Sequence, residues 1–184
     1  RRPLRVLYLN HVGSVSGAEN SLLTLVHHLD RRRFTPVAAV PAGPLAQRFD
    51  AQGVHVRLIP QLRVGRPSGL LSGGWGALRL RRWAASLRRA ARVLDCDLVH
   101  ANSLTAGLGA SLAIGRRLPV VWHARDVRAP VRAERWLAAR ATRIVAISAC
   151  VADHLLEVTP AARERTMLIY NGIEPDGFQP TRSR

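Results

Sequence analysis

Three chemically capable residues, His123, Arg125 and Asp126, lie within one turn of chain, directly after the apolar run PVVWH (Pro119–His123). A histidine beside a carboxylate has a pKa that its surroundings can carry across neutrality. A guanidinium offers a planar fork to phosphate or carboxylate. His123 and Asp126 are therefore candidate catalytic groups, and Arg125 a candidate binding group. A second cluster follows the first apolar run, as Asn10-His11-Val12-Gly13-Ser14-Val15-Ser16-Gly17-Ala18-Glu19-Asn20. Here Gly13 and Gly17 would let the backbone come close to a ligand, and Ser14 and Ser16 add hydroxyls. The helix that follows points N–H groups at whatever sits there, which suits phosphate. Glu19 fits a ligand contact or a first-turn carboxylate favoured by the helix dipole. Asn102 and Ser103, then Ser148, then Asn171 and Gly172, follow three further apolar runs. Singly, Ser103 and Ser148 read as helix caps and Asn171-Gly172 as a turn. Their coincidence at the ends of five strands points to one site, with all of these residues as candidate ligand contacts.

Several chemistries are excluded. The glycines Gly13 and Gly17 do not make the G-x-G-x-x-G dinucleotide fingerprint, and the second strand ends at Val40-Pro41 without the ribose-binding acid. A nicotinamide or flavin enzyme is disfavoured. All 28 basic residues are arginine, so P-loop, Schiff-base and pyridoxal-phosphate mechanisms have no lysine to use. The net charge of +16 raises nucleic-acid binding as an alternative, but an all-arginine complement suggests a coding bias. No nucleic-acid motif is visible, and aromatics are only 5%, few for stacking bases. No nucleic-acid partner is expected. Cys96 and Cys150 have no metal-ligand spacing and read as two buried free thiols in a reducing cytosol. No metal is expected. No apolar stretch approaches a membrane span, and the apolar run Leu4–Leu9 is too short for a signal peptide. Met167 is the only methionine, so the chain is expected to be processed or cut from something longer.

The elements that must position these residues alternate. Strands are expected at Leu4–Leu9, Val37–Val40, Val54–Ile59, Asp97–His100, Pro119–His123, Arg143–Ile147 and Met167–Tyr170. Helices are expected at Ala18–Leu29, Pro44–Gln52, Ala77–Leu94, Leu104–Ile114, Val131–Ala141 and Ala149–Val158, with a mobile loop over Pro60–Gly76. The strands are short apolar runs, as burial on two faces demands. Alternation of this kind predicts an α/β fold, doubly wound, with a mainly parallel seven-stranded Rossmann-like sheet and helices on both faces. In such sheets ligands bind beyond the carboxyl ends of the strands, where the polar residues fall.

The segments "SGAE" (Ser16–Glu19), "DLVHANS" (Asp97–Ser103), "VVWHARD" (Val120–Asp126), "IVAIS" (Ile144–Ser148) and "IYNGIEPDGF" (Ile169–Phe178) resemble the N-terminal half of a retaining, GT-B-fold glycosyltransferase of family four, over roughly Leu4 to Pro180. Glu174 stands where such enzymes commonly have Asp. The resemblance implies two Rossmann-like domains across a cleft, the N-terminal one receiving a sugar or lipid-linked acceptor. The C-terminal one would hold the nucleotide sugar through a Glu-x7-Glu motif, which is absent here; Glu157 and Glu164 are one residue short. Residues 1–176 would thus be the N-terminal domain and 177–184 a tail or linker toward an absent C-terminal donor-binding domain. The isolated chain is expected to be inactive. By the resemblance, Gly13 to Gly17 would approach the donor phosphates or the acceptor, and His123 the transferred sugar. Arg125, Asp126 and Asn102 would line the acceptor side. Retaining members need no protein nucleophile, since the leaving phosphate draws the proton from the attacking hydroxyl, so the protein supplies positioning and electrostatic stabilisation. A nucleotide sugar is expected as co-substrate, with no other cofactor. A sugar-nucleotide epimerase or phosphorylase of similar fold is the alternative, against which the fifth- and seventh-strand motifs argue.

The helix Ala77–Leu94 sets Leu80, Ala84, Leu87, Ala91 and Leu94 along one stripe, with Trp83 at its margin. Arg81, Arg82, Arg88 and Arg89 lie opposite, and Trp75 near the entry. This is either a core helix with a solvated face or a surface for anionic lipid, with Trp75, Leu70 and Leu71 dipping into the interface. The expected location is cytoplasmic, with peripheral attachment to the inner face of the cell membrane on the second reading.

Overall fold

Short β-rich runs such as LRVLYL, separated by helical stretches, build a single parallel sheet. The structure, a computed structural model, describes residues 2–61, 74–115, 117–127 and 130–173, with only the backbone given for 74–77 and 79. The strands are β1 (Leu4–Leu9), β2 (Phe34–Val40), β3 (His55–Leu58), β4 (Leu98–Ala101), β5 (Val120–Ala124), β6 (Arg143–Ala146) and β7 (Thr166–Leu168). The helices are α1 (Gly17–His27), α2 (Pro44–Ala51), α3 (Gly74–Val93), α4 (Leu104–Ile114), α5 (Val131–Ala138) and α6 (Ala149–Val158). All seven strands pair in parallel, in the order β3-β2-β1-β4-β5-β6-β7. This is the doubly wound Rossmann-like sheet the alternation predicts. The expected 60–76 loop lies largely outside the described residues, as do Leu70, Leu71, the Trp75 side chain and the tail. A 3-10 helix at Pro160–Arg165, which the sequence reading does not anticipate, leads into a β7 of three residues.

Order and handedness together place the helices. Right-handed crossovers running from β1 to β3 put α1 and α2 on one face; those running the other way put α3 to α6 on the opposite face. Val6, Tyr8, Ala38 and Val40 accordingly pack under α1 and α2, and Leu7, Leu9, Val37 and Ala39 against α3 and α4. A third cluster joins β5 and β6 to α5 and α6 around Trp122, Leu137, Ile144 and Leu155. Gly107 lets Leu137 sit against α4, since a side chain there would meet Leu137 Cδ2 at 2.5 Å.

Two details correct the sequence reading. Trp83 is not at the margin of α3 but fully buried, with Leu87 and Ala90 beside it, and Leu80 is exposed. The buried stripe is therefore rotated toward Trp83, whose large apolar area is favourable to bury. Of the two thiols only Cys96 is buried, and burial pushes it up to about 11; Cys150, in the first turn of α6, is exposed.

Candidate active site at the strand ends

Parallel register brings the polar residues together. Tyr8 pairs with His100, and Leu9 with Ala101, so the next residues, Asn10 and Asn102, leave the sheet side by side. His100 pairs with Val121, and Ala101 with Trp122, so His123 follows beside Asn102. Alternation then puts Asn10, Asn102, His123 and Arg125 toward the face that carries α1.

They form one network. Arg125 Nη2 and Nε donate to Asn102 Oδ1 at 2.8 and 3.1 Å, and Nη1 donates to Asn171 Oδ1 at 3.2 Å. Arg125 Nη2 also lies 3.4 Å from His123 Nδ1. Asn102 Nδ2 donates to Asn10 Oδ1 (3.2 Å) and to the Ala18 carbonyl (3.3 Å). Asn10 Nδ2 donates in turn to Glu19 Oε1 (3.1 Å) and the Val12 carbonyl (2.9 Å). Ser21 Oγ donates to Asn171 Oδ1 at 2.7 Å, tying β7's exit to α1. Both Asn10 and Asn102 are wholly buried. The guanidinium is thus held by neutral acceptors. Its pKa is lowered to about 10, by burial first, with Glu19 and Asp126 partly offsetting.

The expectation of a carboxylate-tuned histidine does not hold for His123. Asp126 is exposed, and among the described residues no hydrogen bond joins it to the ring. Burial, then the Arg125 charge, then His100 push His123 down to about 2. The ring is neutral at any physiological pH, so it can offer or accept a hydrogen bond but cannot serve as a proton reservoir. Its Nε2 is buried with no hydrogen-bond partner among the described residues.

The loop after β1 divides its residues between building and exposure. Ser16 caps α1 and Glu19 closes the capping box: the Ser16 N–H donates to Glu19 Oε2 at 3.1 Å, and the hydroxyl donates to the same oxygen. Glu19 is 4% exposed, and its carboxylate is spent on Ser16 and Asn10. Gly13 is glycine for packing: a Cβ there would lie 2.4 Å from the Ala42 carbonyl oxygen, in the turn before α2. Ser14 and Gly17 face solvent, with open space around Gly17. Ser103 accepts the Ala106 N–H at 3.1 Å as the cap of α4, and its hydroxyl lies 3.0 Å from His11 Nδ1. Ser148 caps α6, accepting the Val151 N–H at 3.3 Å. Asn171 and Gly172 are exposed, the latter in open space.

The network therefore collects Asn102, His123, Arg125, Asn171 and Glu19. It adds Asn10, His100 and Ser21, which the sequence reading did not single out as site residues; His11, likewise not singled out, pairs with Ser103 beside it. Asn10 and His11 stand in the quoted loop, and His100 closes a strand as His123 does, so their positions carried a signal. Ser21, inside a helix, carried none. On α3, Arg81, Arg82 and Arg89 are exposed, while Arg88 is half-buried and donates to the Ala113 carbonyl at 3.3 Å. A groove between α3 and α4, lined by Leu80, Arg81, Arg82, Arg88 and Leu112, lies apart from this network.

A parallel sheet of this order with helices on both faces defines a Rossmann-like domain, and the polar cluster at its carboxyl edge is the candidate site. The chain belongs to Glycosyltransferase Family 4, whose model matches residues 15–176. It is 31% identical, over 164 residues, to D-inositol 3-phosphate glycosyltransferase 1 of Catenulispora acidiphila, covering 80% of this chain and 37% of that one. Anabaena Alr3699/HepE, solved in complex with UDP-glucose, superposes with a TM-score of 0.72 at 20% identity, over 97% of this chain and 47% of that one. UDP-GlcNAc 2-epimerase from Neisseria meningitidis, solved bound to UDP-GlcNAc, gives 0.59 at 19% identity, over 91% and 47%. The chain thus spans less than half the length of these relatives. The structural likenesses establish the fold, and the family model establishes the family.

Proposed function

We propose that this chain is the acceptor-side half of a retaining glycosyltransferase that moves a hexosyl group from a nucleotide sugar to a hydroxyl. The observation that carries it is the strand-end network, which holds a desolvated Arg125 on neutral acceptors beside a neutral, buried His123. A guanidinium without a carboxylate partner is suited to an anion, so Arg125 would receive a phosphate of the donor or acceptor. His123 would hydrogen-bond the transferred sugar, and Asn102 would hold Arg125 in place. Asp126, exposed beside them, would meet acceptor hydroxyls. Ser14, Gly17 and the N–H groups at the start of α1 would approach the phosphates. The UDP-glucose carried by Anabaena Alr3699/HepE supports a uridine-diphosphate sugar as donor. The other half of the donor site would come from a C-terminal domain in cis, and no metal would be needed.

The test is sugar transfer, followed by the anomeric configuration of the product. The isolated chain should turn over little or no nucleotide sugar, and the same chain joined to a donor-binding domain should transfer with retention. Robust turnover by the chain alone, or an inverted product, would overturn the respective part. In the joined enzyme His123→Ala should lower kcat more than it raises the acceptor KM; a loss confined to KM would reassign the residue.

The exposed arginines of α3 support a peripheral, cytoplasmic-face association with anionic membrane. Among the described residues no helix is long and apolar enough to cross a membrane. Co-sedimentation with anionic vesicles is expected, reduced by Arg81→Glu with Arg82→Glu. Equal binding to neutral vesicles, or none to either, ends that idea.

A further inference from the structure

His100 is a buried titratable group in the cluster to which the transfer reading gives no part and which, unlike Glu19, no helix cap accounts for. It is 9% exposed near the carboxyl end of β4, with its ring tilted against Tyr8 (centroids 5.1 Å apart). Its Nε2 lies 3.1 Å from Nδ1 of His123, the two rings crossing at 72°. The direction of this bond follows from its neighbours. Arginine has donors only, so Arg125 Nη2, at 3.4 Å, can meet His123 Nδ1 only as a donor to a lone pair. The arrangement that avoids setting two donors against each other leaves His123 Nδ1 unprotonated and puts the proton between the rings on His100 Nε2. A neutral His123 must then carry its own proton on Nε2, the atom left buried without a partner. Trp83 and Trp122 also have unpartnered buried N–H groups, but those lie in the hydrophobic core; His123 Nε2 lies in the polar strand-end cluster, where a ligand can supply the acceptor.

We propose that His100 is a positioning residue: its Nε2–H fixes the tautomer and ring plane of His123, so that His123 presents a neutral Nε2–H donor to a ligand oxygen. The identity of that oxygen, a hydroxyl of the transferred sugar, rests on the transfer reading; the tautomer does not. Burial and the nearby guanidinium act in the same direction, holding both rings neutral. Second groups that fix an imidazole's tautomer are a recurring requirement where the opposite ring nitrogen must meet a ligand.

The experiment is long-range proton–nitrogen correlation on the histidine-labelled, ligand-free 184-residue chain. Wild type should show His123 protonated at Nε2. His100→Gln, whose amide can still donate, should retain that pattern. His100→Leu, similar in bulk but without a donor, should give a mixture of tautomers. In a transfer-competent enzyme, His100→Leu should lower kcat on the order of 10-fold to 100-fold, the scale of a small misplacement of a reacting contact, with acceptor KM little changed. His100→Gln should recover most of it. An Nδ1-protonated His123 in wild type overturns the inference, as does an unchanged tautomer in a folded His100→Leu chain. If His100→Leu does not fold, wild type and His100→Gln decide: loss of the Nε2 pattern in His100→Gln overturns it, and retention supports it. The expected tautomers without any sugar transfer would leave this inference standing and remove the transfer reading instead.

Discussion

Arg125→Lys should lower kcat/KM of the transfer-competent enzyme by about 10²–10³-fold, the loss typical of removing a charge-stabilising donor from a preorganised site. The argument is geometric. Arg125 spans three acceptors on three elements: Asn102 after β4, Asn171 after β7 and His123 on β5. The fork satisfies them simultaneously because its N–H groups are fixed in one plane. An ammonium keeps the charge but is a point donor on a flexible stem, and it cannot hold that planar arrangement. Arg125→Ala should fall at least as far, since it also removes the cation. The fold should survive both changes. The guanidinium is disfavoured by its own burial, as the lowered pKa records, so losing it relieves a cost while it frees Asn102 Oδ1. Steady-state kinetics together with thermal unfolding separate the cases. Near-normal kcat/KM in Arg125→Lys would sink the assignment; so would a chain that unfolds without Arg125, since the residue would then be serving the fold.

The cluster was partly legible in the sequence because polar residues at the ends of apolar runs must emerge at one edge of a parallel sheet. What the sequence does not contain is register. Asn10 reads as one of six polar residues in an eleven-residue stretch until Tyr8–His100 pairing sets it beside Asn102. One local signal went unread: Ser16-x-x-Glu19 spells a capping box, which explains why Glu19, left open between ligand contact and first-turn carboxylate, faces inward. Gly13 shows the opposite case. In a strand-to-helix loop it reads as a ligand-facing glycine, yet its partner is the Ala42 carbonyl on the next crossover, a contact made only by the folded chain. Trp83 fell at the margin of the helical projection, not at its centre, because five small and aliphatic positions define a broad arc. The heaviest side chain, not the arc's centre, chose the buried direction.

The buried histidines that shape the site should also make the fold acid-sensitive in a definable window. His100 is lowered from 6.5 to about 4, by burial first and the Arg125 charge second, and His123 to about 2. His11 is lowered too, by burial, with Glu19 and Asp126 opposing. For His100 and His123 the folded chain holds the ring neutral, while the unfolded chain binds a proton below about pH 6.5. The unfolded state thus carries more protons between pH 6.5 and the folded values, and stability rises with pH across that interval. Full stability is expected above about pH 6.5, with progressive loss toward pH 4 and below. For His100 alone, the shift corresponds to about 3 kcal/mol, and His123 cannot simply be added because the two rings share a hydrogen bond and titrate as a pair. A loss of that size should lower the unfolding midpoint by about 6–12 °C between pH 7 and pH 4 in a domain of this length. The paired carboxylate Asp97, lowered by the Arg5 N–H and by Arg2, contributes only below its ordinary value of 3.8, outside most of the window. Calorimetric scans of wild type and His100→Gln separate the sources: the variant, lacking one titrating ring but keeping its donor, should show a flatter decline. A wild-type midpoint that does not move from pH 7 to pH 4.5, or an unchanged slope in His100→Gln, would mean that the ring pair is not held neutral by the fold, and the neutral-donor role of His123 would fall with it.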